Sequence, residues 1–250
     1  MKKNSDINDL LRRAIASQVE MGLDELVLKN RLPETKNTVL MEKETVSEVS
    51  VKDIFNNRIT MKMPSAQYDS VDSHYNAISN CQLCSLAGTR NKFVYGVGNS
   101  QADLLFIGEA PGADEDRLGE PFVGRAGQLL DRILAAIQLS RKEVYIANIL
   151  KCRPPNNRDP LPDEMDKCFP YLYDQVRLIK PKLICALGRG AAQALLKTST
   201  PLGKLRKQWH NFEGVPTLVT YHPAALLRFA SYKKDTWEDM QMLKARLDSL

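Results

Sequence analysis

The chain contains no run of about 18 apolar residues, the length needed to cross a bilayer. Its start, Met1-Lys2-Lys3-Asn4-Ser5-Asp6, lacks the apolar stretch of a secretory signal, so a cytoplasmic protein without membrane contact is expected. Cysteine is scarce at five residues, an odd number that cannot pair completely. A reducing compartment disfavours structural disulfides, which leaves metal ligation or simple burial for these thiols. No internal repeat is present, which excludes a solenoid or propeller. The net charge is only +5, with most basic residues interleaved with acids, so the chain is no polycation.

Composition is otherwise that of a globular chain: 250 residues, 43% hydrophobic and 26% charged. Basic residues cluster in two predicted loops, Lys151, Arg153 and Arg158 in the first and Lys204, Arg206 and Lys207 in the second. Both groupings suit contacts to phosphates.

The first 72 residues differ from the rest. Ile7, Leu10, Leu11, Ile15, Val19, Leu23, Leu26 and Val27 recur mostly at offsets of three or four, which predicts an amphipathic helix over roughly residues 6–28. From Asn30 to Asp72 the chain is polar and reads as a linker. Residues 73–250 then alternate short apolar runs with helical patterns. Strands are predicted at 103–108, 144–148, 183–188 and 217–220, and helices at about 125–138, 163–179 and 189–197. Strand–helix–strand order implies an α/β fold, a mostly parallel sheet with helices on both faces. In such a sheet ligands sit beyond the carboxyl ends of the strands. Gly108-Glu109, Asn148 and His222-Pro223 all fall at such ends, so three distant stretches converge on one crevice.

Cys81-Gln82-Leu83-Cys84 is a two-thiolate clamp that Cys152 and Cys168 could complete to four ligands. Four thiolates hold either tetrahedral zinc or a 4Fe-4S cluster, and both remain open on spacing. Cys185, mid-strand among Leu183, Ile184, Ala186 and Leu187, reads as a small buried hydrophobe.

Four segments in order, Gly108-Glu109-Ala110-Pro111-Gly112-Ala113-Asp114-Glu115-Asp116, Pro121-Phe122-Val123-Gly124-Arg125-Ala126-Gly127, Asn148 with Lys151-Cys152-Arg153-Pro154-Pro155, and His222-Pro223-Ala224-Ala225-Leu226-Leu227-Arg228, resemble the family 4 uracil-DNA glycosylases over about residues 73–240. The resemblance implies a three-layer sandwich with a central mostly parallel sheet, a 4Fe-4S cluster on Cys81, Cys84, Cys152 and Cys168, and hydrolysis of the N-glycosidic bond of deoxyuridine in single- or double-stranded DNA by a monomer. It implies His222 as donor to a uracil oxygen, Glu109 as the residue that positions water, and Asn148 as reader of the uracil edge, whose paired acceptor and donor match N3–H and O4. The main chain of Gly108 to Ala110 would touch uracil, Glu115 would lie against C5, and Phe122 would stack on the flipped base. Leu226 and Leu227 would wedge into the duplex gap. Arg153, Arg158, Gly190 and Arg228 would meet DNA, Gly190 through exposed N–H groups at a helix start. Asn156 and Lys207 stand where many relatives have glycine, which touches loop shape rather than chemistry. The competing reading is a metal-bearing nucleic-acid-binding module without cleavage activity.

Overall fold

The computed structural model describes residues 68–250. The helix expected over 6–28 and all but the last residues of the expected linker lie outside the described residues. Val71 and Asp72, expected at the end of that linker, instead open the first described helix, α1 (Val71–Ile78). Ser70 caps it by accepting from Ser73 N at 3.0 Å, and the Ser73 hydroxyl accepts from Ser70 N in return.

Four strands form the centre of one sheet: β2 (Leu104–Gly108), β3 (Tyr145–Asn148), β4 (Leu183–Leu187) and β6 (Val215–Thr220). They are parallel to one another, and they are the four expected from the apolar runs. Two short strands, β1 (Val97–Gly98) and β5 (Trp209–Phe212), pair antiparallel at the edges, giving the order β1-β3-β2-β4-β6-β5. The β5–β6 hairpin turns on Glu213 and Gly214, both at positive φ (51° and 85°), the conformation a two-residue primed turn requires. β1 has only two residues and β5 carries His210 and Asn211 at its centre, which is why the apolar pattern misses them.

Helices cover both faces, because the central strands are apolar on both. On one side Leu105, Ile107, Ala147, Ile184, Ala186 and Val219 pack under α4 (Pro162–Ile179) and α5 (Arg189–Leu196), with Leu205 of the short α6 (Leu202–Leu205). On the other, Leu104, Phe106, Ile146, Leu183, Cys185 and Leu218 pack under α3 (Arg125–Ala136) and α8 (Tyr232–Leu247). Odd and even positions of each strand thus serve different layers, as the pleat demands. This is the expected three-layer α/β sandwich, and Cys185 is a buried member of its core. Helix α2 (Ala113–Leu118) follows β2, and α7 (Pro223–Arg228) follows β6. Among the described residues no helix is long and apolar enough to cross a membrane.

Of the second basic grouping only Arg206 proves to be internal, while Lys204 and Lys207 are exposed. Arg206 donates from Nε to the fully buried Asp239 at 2.7 Å and from Nη2 to the Asp235 carbonyl at 2.6 Å, and it lies over the Tyr221 ring. Thr220 Oγ1 donates to the same Asp239 oxygen at 2.7 Å. Lys207 pairs with Glu238 at 2.9 Å. The phosphate-binding expectation is therefore corrected for Arg206, which together with Thr220 and Asp239 fastens the end of β6 to α8, shortly before the His222 turn.

Removing one partner of a buried pair strands the other. Asp239→Ala is expected to destabilise the fold by about 3 kcal/mol. Asp235→Ala removes a partly exposed partner and is expected to cost about 1 kcal/mol or less. Denaturant unfolding of the two variants checks the ordering, and equal losses would contradict it.

Candidate active site

Gly108, Asn148 and the turn carrying His222 lie at the carboxyl ends of the parallel strands. Gly108 and Asn148 are register partners at the ends of β2 and β3, so they face each other across one hydrogen-bonded step. A Cβ on Gly108 would collide with Asn148 Oδ1 and approach Phe122 Cζ to 2.7 Å. Glycine is required there because the Asn148 amide and the Phe122 ring occupy that space. Asn148 is buried, 2% exposed, and its Oδ1 has no hydrogen-bond partner among the described residues. A buried acceptor left unpaired costs about 1–3 kcal/mol, recoverable by a ligand donor.

Phe122 closes one side. It sits at φ 55°, unusual for a bulky residue, and is held there from two directions. The Glu115 carboxylate accepts from Val123 N (2.9 Å) and Gly124 N (3.0 Å). The Arg141 guanidinium donates to the carbonyls of Pro121 (3.2 Å) and Phe122, and is itself held by Asp131 at 2.5 Å. Glu115 is thus committed to the Phe122 loop that walls the pocket. Arg141 was not singled out from sequence: it follows α3 among ordinary surface charges, and only the fold brings it under the loop.

His222 caps α7. Its Nδ1 accepts from Ala224 N at 3.1 Å, which leaves the proton of the neutral ring on Nε2. The ring lies 5.4 Å from that of Phe122, tilted by 31°. Surrounding groups strip its solvation and draw its pKa down from 6.5 to about 4, with Glu115 opposing weakly. Gly188, at φ 90°, lets the chain turn beneath it, since a Cβ there would come within 2.8 Å of His222 Cβ.

Glu109 follows Gly108 on the same edge. Burial, with Asp159 adding to it and Arg189 opposing, raises its pKa above the carboxylate range. Gly190, expected to meet a phosphate, packs directly on the Glu109 carboxylate, where a side chain would clash. Ala110 packs against the cysteine cluster instead of standing free.

The outer residues separate. Leu226 is 3% exposed and belongs to the interior, whereas Leu227 is 41% exposed, with Arg228 and Phe229 exposed beside it. Of the leucine pair, then, only Leu227 is free to enter a duplex. Arg153 donates to Asn157 at 2.7 Å near the surface. Arg158 stays exposed but is tied within the fold. It binds the fully buried Glu164 through both guanidinium nitrogens (2.6 and 2.9 Å), and Leu161 N and Ser85 Oγ complete that carboxylate. Lys151 is corrected from a phosphate contact, for it is fully buried and donates to the Asn148 carbonyl at 2.6 Å and to Gln175 Oε1 at 2.5 Å.

Cys152 and Cys168 lie together in a small apolar cluster with Leu86 and Leu150, and Cys84 packs against it. None of the five cysteines is in a disulfide. Donors point at three of the sulfurs: Arg90 Nη1 at Cys152 (3.4 Å), Lys151 N at Cys168 (3.3 Å), and both Tyr171 Oη (3.3 Å) and Leu83 N (3.5 Å) at Cys81. Burial pushes the Cys168 thiol up to about 12 and raises that of Cys152, so these sulfurs ionise only against a compensating charge. Among the described residues no three His, Cys, Asp or Glu side chains stand close enough to grip one ion.

Residues 95–241 match the uracil DNA glycosylase superfamily. The chain is 43% identical over 183 residues to a type-4 uracil-DNA glycosylase of Archaeoglobus fulgidus, covering 70% of this chain and 92% of that protein. It is 44% identical over 190 residues to the type-4 uracil-DNA glycosylase of Saccharolobus solfataricus (72% and 88% covered), and 40% identical over 173 residues to that of Pyrobaculum aerophilum (66% and 88%). The chain belongs to the uracil-DNA glycosylase superfamily and, within it, to the type-4 uracil-DNA glycosylases.

Two imidazoles, the buried His74 and the partly buried His222, set a pH test. His74, 0% exposed, is drawn down to about 4 by burial and then by Lys151, as His222 is by burial. The unfolded chain takes up these protons near 6.5 and the folded chain resists until about 4. Their contribution to stability is therefore complete above 6.5 and lost as pH falls from 6.5 towards 4. NMR titration should find both rings neutral at pH 5.5; midpoints near 6.5 would contradict the burial argument.

Proposed function

We propose that this chain hydrolyses the N-glycosidic bond of deoxyuridine in DNA, releasing uracil and leaving an abasic site. The observation that carries the reading is the buried, unpartnered Asn148 Oδ1, walled by Phe122 and Gly108 and near a neutral histidine with a free Nε2–H donor.

The deoxyuridine is flipped from the stack at a cost of a few kcal/mol. Phe122 stacks on the base, and Asn148 accepts from N3–H while donating to O4. Cytosine offers the opposite pattern at those atoms and is refused. His222 Nε2–H donates to the uracil oxygen next to the bond that breaks, where negative charge grows. A neutral donor suits this task, for its Nε2–H can stabilise the anion without the ring first taking up a proton. Glu109 holds water on the sugar side and takes its proton as the water oxygen bonds to C1′; its carboxylate also offsets the cationic sugar. Uracil leaves with the bonding electrons. Leu227 fills the gap in the duplex, and Arg153 and Arg228 face phosphates. The enzyme acts as a monomer, on single or double strands, in the cytoplasm where the DNA lies.

Cys81, Cys84, Cys152 and Cys168 would hold a 4Fe-4S cluster, which the donors aimed at the sulfurs support. Held by these four residues, a cluster would cross-link the segment around Cys81, the loop after β3 and helix α4. The steps of hydrolysis belong to the side chains.

Uracil should be released from uracil-containing DNA without strand nicking, and His222→Ala and Asn148→Ala should each lose on the order of tenfold to a hundredfold or more while folding normally. No release from single- or double-stranded substrate by the unaltered chain would sink the reading, and binding without release would favour a module lacking cleavage. The rate should also fall with decreasing pH at values above the usual carboxylate range, as Glu109 takes up its proton. Glu109→Gln should remove that acid limb together with most of the rate, and a limb that persists in the variant would refute the base assignment.

A further inference from the structure

Lys151 carries a charge that the fold buries completely, yet both acceptors it reaches are neutral oxygens: the Asn148 carbonyl at 2.6 Å and Gln175 Oε1 at 2.5 Å. Its ammonium also lies 5.8 Å over the Tyr95 ring, and Gln175 is fixed in turn by donating to the Tyr95 carbonyl at 3.0 Å. A buried ammonium is costly unless an opposite charge offsets it, and an aromatic face with two neutral acceptors offsets it only in part. Cys152 is the next residue, and the Lys151 main-chain N–H donates to Cys168 Sγ at 3.3 Å. The same residue therefore touches the cysteine site through its backbone and the uracil-reading end of β3 through its side chain.

We infer that Lys151 is a positioning residue joining the two sites: its ammonium offsets the negative charge of the thiolate-bound cluster while it pins the Asn148 carbonyl, so that the Asn148 amide faces the pocket with its acceptor free. The inference rests on the uracil and cluster assignments above. It gives the cluster a part in recognition although no step of the reaction passes through it. The Asn148 acceptor gains no protein partner because the strut anchors its main chain four residues from a cluster ligand.

The test uses the full chain purified with its iron, compared with Lys151→Met and with Gln175→Met, which removes one acceptor of the strut and lies outside both sites. Iron per chain, visible absorption, the cluster's reduction potential, and KM and kcat on uracil-containing single strands are measured together. Lys151→Met should keep its iron, shift the potential to more negative values because a nearby cation is gone, and raise KM about tenfold or more with a smaller change in kcat. Gln175→Met should raise KM by less and leave the potential near that of the parent. An unchanged KM and potential in iron-replete Lys151→Met would overturn the inference. Should that variant fail to fold or lose its iron, an unchanged KM in Gln175→Met overturns it. Failure of the underlying readings looks different: a parent chain without iron, or one that releases no uracil.

Discussion

The parallel register between β2 and β3 brings Gly108 and Asn148 to the same level at the carboxyl edge of the sheet, and the proposed pocket depends on that step. A slip of one residue would turn Asn148 into a core layer and put an alanine in its place. With the register fixed, the absence of a Cβ on Gly108 leaves room for both the Asn148 amide and the Phe122 ring. His222 and Glu109 then need only follow their strands to reach the same crevice, one after β6 and one after β2. The chemistry proposed for them uses what burial does to each. The imidazole stays neutral and donates, and the carboxyl is pushed toward the pKa of a working base.

Much of the remaining charge is spent on holding these edges in place. Arg206 and Asp239 fasten the last residues of β6 to α8, directly before His222. Arg158 and Glu164 tie the loop after the Pro154-Pro155 pair to α4, which carries Cys168. Arg141 and Glu115 hold the Phe122 loop from opposite sides. A uracil-recognition site with a strained aromatic and an unpaired amide is intrinsically unfavourable, and these buried ties are where the structure compensates.

The fold was largely legible because all four central strands are buried on both faces and so appear as unbroken apolar runs. The edge strands β1 and β5 were not, since β1 has two residues and β5 is interrupted by His210 and Asn211. The pocket motifs were legible in order, through their likeness to a family, and the structure brings Gly108, Phe122, Asn148 and His222 into contact or near contact. Local charge density misled. Lys151 and Arg206 read as phosphate contacts because neighbouring basic residues look like a patch in one dimension, yet both are buried and their partners, Gln175 and Asp239, lie 24 and 33 positions away. Leu226 and Leu227 were indistinguishable by residue type, and only the helix phase of α7 buries one and exposes the other.

The central claim, that a buried Asn148 acceptor awaits a donor on the base, is tested most directly by product inhibition. Free uracil and 3-methyluracil differ in that a methyl replaces the N3–H which the Asn148 oxygen would accept. Added to a uracil-release assay, uracil is predicted to inhibit while 3-methyluracil at the same concentration does not. Equal inhibition by both would contradict the account.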